Sequence, residues 1–129
     1  MKFTFRDIQP GTYNAKVSQI KEDQGPFGPF LRLSFTIVQG ELKNYKFFGF
    51  VKPTALKQSK FYRWATHILG EQPDDDFDTK DLIGKHCLVL LSKVKDFYSV
   101  TDVYTENHAL ISFDAPLDSI TVVRNTAKS

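Results

Sequence analysis

The chain has 129 residues, among them 12 Phe, 5 Tyr and 1 Trp, with a formal net charge of +2. That length suits one ordinary domain and is too short for a (β/α)₈ barrel of about 250 residues. A hydrophobic share of 41% and a charged share of 25% argue against wholesale disorder, and the single cysteine, Cys87, excludes an intrachain disulfide.

In chain order, Pro10-Gly11 marks a turn. Tyr13, Ala15 and Val17 then alternate with Asn14, Lys16 and Ser18, the pattern of a half-buried strand. Ile20 breaks that alternation and predicts a bulge or bend near Ser18-Gln19. Gly25-Pro26-Phe27-Gly28-Pro29 is a loop signal. Leu31, Leu33, Phe35 and Ile37 alternate with Arg32, Ser34 and Thr36 to give a second strand. After a turn at Gly40-Glu41-Leu42-Lys43, an aromatic strand runs from Asn44 to Val51 and ends at Pro53.

Ser59 fits an N-cap. Phe61, Trp64, Ala65, Ile68 and Leu69 follow at the spacing of one helical face, and Gly70 closes the helix. This pattern sends Trp64 to the core and Tyr62, Arg63, Thr66 and His67 outward. Gln72 to Asp78 reads as an acidic loop with Phe77 turned inward. A turn at Asp81-Leu82-Ile83-Gly84-Lys85 leads into a nearly continuous apolar strand, His86 to Lys93. A turn at Lys93-Val94-Lys95-Asp96 then leads into a fifth strand, Phe97 to Tyr104. Two weaker strand signals follow, 109–113 and 120–123, separated by Pro116.

The order strand, strand, strand, helix, strand, strand predicts a mainly β fold. The expected architecture is a five-stranded OB-fold Greek-key barrel, with one helix between strands 3 and 4 and a C-terminal extension. An unrelated α+β sheet with one packed helix has the same periodicity. The expected division is a barrel domain over residues 1–106 and an extension over 107–129 that packs on the barrel or on a partner subunit.

Motifs for catalysis or metal binding fail. Asp74, Asp76 and Asp78 resemble the start of a calcium loop, but the required Gly and Glu positions hold Thr79 and Lys85. His86 and Cys87 are neighbours in a strand and point to opposite faces. His67 and His108 lack companions at ligand spacing. Gly84-Lys85-His86 lacks the rest of a phosphate-cradling loop. The expectation is a protein that is not an enzyme and uses no cofactor or metal. The longest apolar run, Cys87 to Leu91, is far below the roughly 20 residues of a membrane span, and the first seven residues carry no apolar signal core.

The charge is unevenly spread. From Phe30 to Leu69 seven basic residues face one acid, Glu41, for a net +6; from Gly70 to Asp118 eleven acids face four lysines, for a net −7. Within the basic part, Lys46, Phe48, Phe50 and Lys52 share one face of strand 3, while Tyr45, Phe47, Gly49 and Val51 share the other, read as core. If Leu31, Leu33, Phe35 and Ile37 fill the interior, Phe30, Arg32, Ser34 and Thr36 face outward, and Phe27 sits at a loop tip. Gly49 within an aromatic strand signals a sharp barrel bend or a close backbone approach. Lys93 and Lys95 fall at the loop between strands 4 and 5, the other lip of such a groove. A basic groove interleaved with flat rings is what single-stranded nucleic acid requires: cations for phosphates and stacking platforms for bases. Phe27, Phe30, Phe48 and Phe50 are therefore the expected stacking residues, and Arg32, Lys46, Lys52, Lys93 and Lys95 the expected phosphate contacts. The alternative is a protein-interaction or oligomerisation module, an adaptor or virion structural domain, whose phenylalanines meet a partner or a second copy.

Several runs carry a likeness. They are Gly11-Thr12-Tyr13, Gly28 ahead of Leu31-Arg32-Leu33-Ser34-Phe35-Thr36-Ile37, Ser59-Lys60-Phe61-Tyr62-Arg63-Trp64, Leu69-Gly70, Phe77-Asp78 and Asp81-Leu82-Ile83-Gly84-Lys85-His86-Cys87. Together they resemble small phage- and prophage-encoded OB-fold proteins of DNA replication and recombination. The resemblance spans Gly11 to Tyr104. It implies sequence-tolerant single-stranded DNA binding without a cofactor, in the cytoplasm of a prokaryotic or phage-infected cell. It leaves RNA binding and a homodimer open, and implies replication or recombination proteins as further partners. Many such proteins end in an acidic recruiting tail; Val122-Val123-Arg124-Asn125-Thr126-Ala127-Lys128-Ser129 is not acidic.

Overall fold

The computed structural model describes residues 1–3, 5 and 7–106. The expected strands at 109–113 and 120–123, His108 and the extension over 107–129 lie outside the described residues. The elements are β1 (Gly11–Gly25), β2 (Gly28–Ile37), β3 (Lys46–Val51), α1 (Lys60–Leu69), a 3₁₀ turn (Thr79–Leu82), β4 (His86–Val94) and β5 (Phe97–Tyr104).

The five strands form one antiparallel sheet in the order β3-β2-β1-β4-β5. Among the described residues the fold is thus mainly β, with one α-helix, between β3 and β4, as the element order predicts. The expected closed barrel is not formed. β3 and β5 end the sheet on its two sides, and no ladder joins them among the described residues. The sheet nevertheless curls far enough that a Cβ on Gly49 of β3 would lie 3.2 Å from the carbonyl oxygen of Val100 in β5.

β1 is the long central strand. Its first half pairs with β4 from Gly11↔Leu91 to Lys16↔His86, and from Ala15 onward it pairs with β2. The register shifts between Val17 and Gln19, at the site where Ile20 breaks the alternation. The extra residue bends β1 and returns Ile20 to the interior, where it packs against the core. The core lines the concave side: Val17, Leu33, Phe35, Ile37, Val89, Leu91 and Val103 are all fully buried.

α1 covers that core with Trp64, Ala65 and Ile68. Ser59 caps it, its Oγ accepting the Tyr62 N–H at 3.1 Å. Gly70 ends it in the left-handed region at φ 80°, where its N–H reaches the Thr66 carbonyl. The Trp64 ring meets Phe35 edge-on at 6.0 Å between centroids. The same ring explains Gly49, since a Cβ there would lie 2.7 Å from Trp64 Cη2 and Cζ3. Gly49 thus marks a close approach, but the nearest group is the indole side chain, with backbone, the Val100 carbonyl oxygen, farther off at 3.2 Å.

Tyr45 departs from the expected pattern. It precedes β3 and is 56% exposed, so the inward face of β3 consists of Phe47, Gly49 and Val51 alone. Asn44, at φ 76°, turns the chain just before it, so the strand alternation does not extend back to Tyr45. Asp78 has a structural role at the acidic loop: it caps the 3₁₀ turn through a reciprocal pair of bonds with Lys80 N–H and Asp81. Phe77 turns inward as expected, against Phe61 and the core. No helix among the described residues is long and apolar enough to cross a membrane.

Candidate nucleic-acid interface

The convex side of the β1–β2–β3 ladder carries the candidate site. Partners directly across an antiparallel ladder share a face, and the register therefore fixes the neighbours. Arg32 lies opposite Phe50, Ser34 opposite Phe48, and Thr36 opposite Lys46. Phe47 and Val51 point the other way and are buried, which settles the orientation of β3: Lys46, Phe48 and Phe50 face outward.

Four of the nine sequence-named residues make a connected cluster. The Phe30 and Phe50 rings meet edge-on at 5.7 Å. The Arg32 guanidinium lies over the Phe48 ring, its Cζ 4.9 Å from the centroid. Phe48 and Phe50 remain 40% and 45% exposed, unusually open for phenylalanines within a sheet. The Phe30 ring is seated over Gly25, where a Cβ would come within 3.1 Å of it. Arg32 Nε is buried and has no hydrogen-bond partner among the described residues. The stacking on Phe48 holds the guanidinium charge within the aromatic cluster.

The remaining five occupy the margins. Lys46 extends the face at the start of β3, and Lys52 follows its end; both are exposed. Phe27 is 93% exposed at the tip of a hairpin in which Gly25 pairs with Gly28. The β1–β2 loop is thus tighter than the Gly/Pro run suggests, just Pro26 and Phe27. Lys93 and Lys95 are exposed on the β4–β5 hairpin with Phe97, which is 75% exposed. Val94 pairs with Phe97 across a two-residue turn, with Lys95 at φ 58°. β3 and β5 run in the same sense and approach at Gly49 and Val100. The residues before Val100, back to this turn, therefore lie toward the Lys46 end of β3. The two hairpins flank opposite ends of the phenylalanine face.

Sequence reasoning missed Lys21. It lies opposite Arg32 across β1–β2 and adds a cation to the same face, with Asp23 opposite Phe30 as the one acid beside it. The broken alternation at Ile20 held this information, because the bulge changes which β1 residues face outward. It also missed the small polar floor of the site. Thr36 Oγ1 donates to Ser18 Oγ at 2.9 Å, and Ser18 Oγ donates to the Ser34 carbonyl at 3.1 Å. These bonds tie the bulge to β2 directly beneath Phe48 and Lys46.

A separate cleft of about 720 Å³ lies between the β3–α1 connection, α1 and the acidic loop. Ile20, Leu31, Phe61 and Phe77 line it, with Asp74 and Asp75 at its rim, and none of the nine sequence-named residues contributes. Cys87 faces the interior; burial, assisted by Glu106, pushes its thiol pKa up to about 12, which leaves it unreactive at neutral pH. His86 is exposed on the opposite side of β4, its Nδ1 3.9 Å from Glu106.

No protein-family model matches the chain, and no curated protein matches its sequence.

Proposed function

We propose that this chain binds single-stranded nucleic acid, DNA in the first instance, with little sequence preference, on the convex face of β1–β2–β3. The observation that carries this reading is the cluster of Phe30, Phe48 and Phe50 around Arg32, with the Phe48 and Phe50 rings exposed and the guanidinium lying over Phe48. Each base offers a π-face, so exposed rings accept any sequence, and the surrounding lysines take the phosphates. The strand order, the helix between β3 and β4, and the approach of β3 to β5 support an OB-type reading of the sheet. In that fold the face of strands 2 and 3, flanked by the β1–β2 and β4–β5 loops, takes the oligonucleotide. Phe27 and Lys93–Lys95 stand on those two loops. Binding of this kind is stoichiometric and needs neither cofactor nor catalysis, which suits the protection or presentation of single strands in replication or recombination.

The test is a salt titration of binding to oligo-dT and to a duplex of equal length. The expected result is preference for oligo-dT, with a log–log slope of about −0.7 for each phosphate neutralised. Absence of oligo-dT binding at low salt overturns the proposal.

A further inference from the structure

The basic stretch does not lie wholly on the phenylalanine face. Lys57, Lys60, Arg63 and His67 line a second concavity, of about 410 Å³, on the outer side of α1. Lys60, Arg63 and His67 follow one another at i, i+3 and i+7, a rise of about 10 Å along one side of the helix. No acid stands in the first turn of α1, so its N-terminal partial charge adds to that of Lys60, while His67 stands in the last turn.

Among the described residues none of those lining this concavity is an acid, although Lys57 also borders the cleft that holds Glu22, Asp74 and Asp75. The acid facing it from β5 is Asp102, which already accepts from Arg63 at 3.1 Å and from the Val103 N–H at 2.9 Å. Burial pushes the Lys60 pKa down and the Arg63 charge adds to that, with Asp102 opposing. His67 is oriented by its Nδ1, 2.7 Å from the Val103 carbonyl oxygen. Cations held side by side in a concavity favour an anion from solution.

The position of the groove identifies the anion. Lys60 Nζ donates to the Phe50 carbonyl oxygen at 3.4 Å, on the strand whose Phe50 side chain belongs to the aromatic face. Lys52 continues the outward series of β3 toward the α1 connection. The helix groove therefore begins where the phenylalanine face ends.

We propose that the α1 groove is a second phosphate track, which carries the backbone of the same strand onward after its bases leave Phe48 and Phe50. This proposal rests on the single-strand reading above. It assigns Lys57 and Arg63 to phosphates that a short oligonucleotide does not reach.

The experiment uses the full chain and its Lys57→Gln/Arg63→Gln variant, with dT5 and dT20 across a range of salt. On dT20 the variant is expected to lose at least about threefold in affinity at low salt. Its log–log slope becomes shallower by about 0.7 for each phosphate no longer neutralised, so by about 1.4 for two. On dT5 it matches the parent. Lys57→Glu, which leaves the Arg63–Asp102 pair intact, is expected to show the same length dependence, with an unchanged urea midpoint. Equal effects on both oligonucleotides, or no effect on dT20, overturn the second track. Failure of the parent protein to bind either oligonucleotide overturns the single-strand reading itself.

Discussion

Gly49 and Trp64 occupy each other's space: the indole ring lies where a side chain at position 49 would begin, with Cη2 and Cζ3 2.7 Å from an ideal Cβ. The outward neighbours of Gly49 are Phe48 and Phe50, so the contact that seats α1 also positions the middle of the candidate site. Because Trp64 is fully buried and Val100 O lies 3.2 Å from the same point, neither neighbour has an easy retreat. Gly49→Ala is expected to destabilise the protein by about 1–3 kcal/mol, the usual cost of overpacking a filled core. Urea unfolding followed by the fluorescence of the single tryptophan measures it; an unchanged midpoint would show that the indole has room to move.

Phe48→Ala removes a ring that is 40% exposed and therefore contributes less to the core than Phe47 or Val51. The expected outcome is a loss of about 1–3 kcal/mol in oligo-dT affinity with little change in melting temperature. The Arg32 guanidinium loses its platform in this variant, so binding should weaken at high salt as well as low. Fluorescence anisotropy beside a melting curve separates the two effects, and equal loss of stability and affinity would contradict the assignment.

Cys87 gives a pH signature. Its thiol is held at about 12 in the folded protein by burial and by Glu106, whereas in the unfolded chain it titrates near its ordinary value of about 8.5. Between these values the unfolded state has released a proton that the native state retains. Stability contributed by the neutral thiol is therefore whole below about pH 8.5 and declines as pH rises toward 12, by up to about 1.4 kcal/mol per unit. Relative to Cys87→Ala, the parent should lose its stability advantage across that window. A constant difference from pH 7 to pH 11 would refute it.

Local patterning is legible wherever one residue type has one physical use. The Ser59 cap, the Gly70 stop, the burial of Trp64 and the alternation in β2 each follow from short-range geometry, and the structure agrees except at Ser34, which lies on the outward side of β2 yet is covered. The outward face of β3 is also legible, because Phe47, Gly49 and Val51 fill the interior on alternate positions. Tyr45 escapes the pattern because strand alternation does not pass through Asn44, whose positive φ marks a turn. Closure of the sheet is not legible, since it depends on how β3 and β5 meet across the molecule. The pairing of Arg32 with Phe48, and the arrival of Lys21 beside Arg32, require the register that the bulge sets.

The division of β1 between two partners also bears on how the chain assembles. Its second half and β2 are joined by the two-residue Pro26–Phe27 turn, so that hairpin can form from neighbours in sequence. Its first half waits for β4, which begins about 70 residues beyond Lys16 at His86. Closing so long a loop costs more chain entropy before any ladder bond repays it. The phenylalanine face is built entirely on the early side of that divide. The β4–β5 hairpin, which carries Lys93 and Lys95, thus joins the sheet through the β1–β4 ladder, a pairing of long sequence separation.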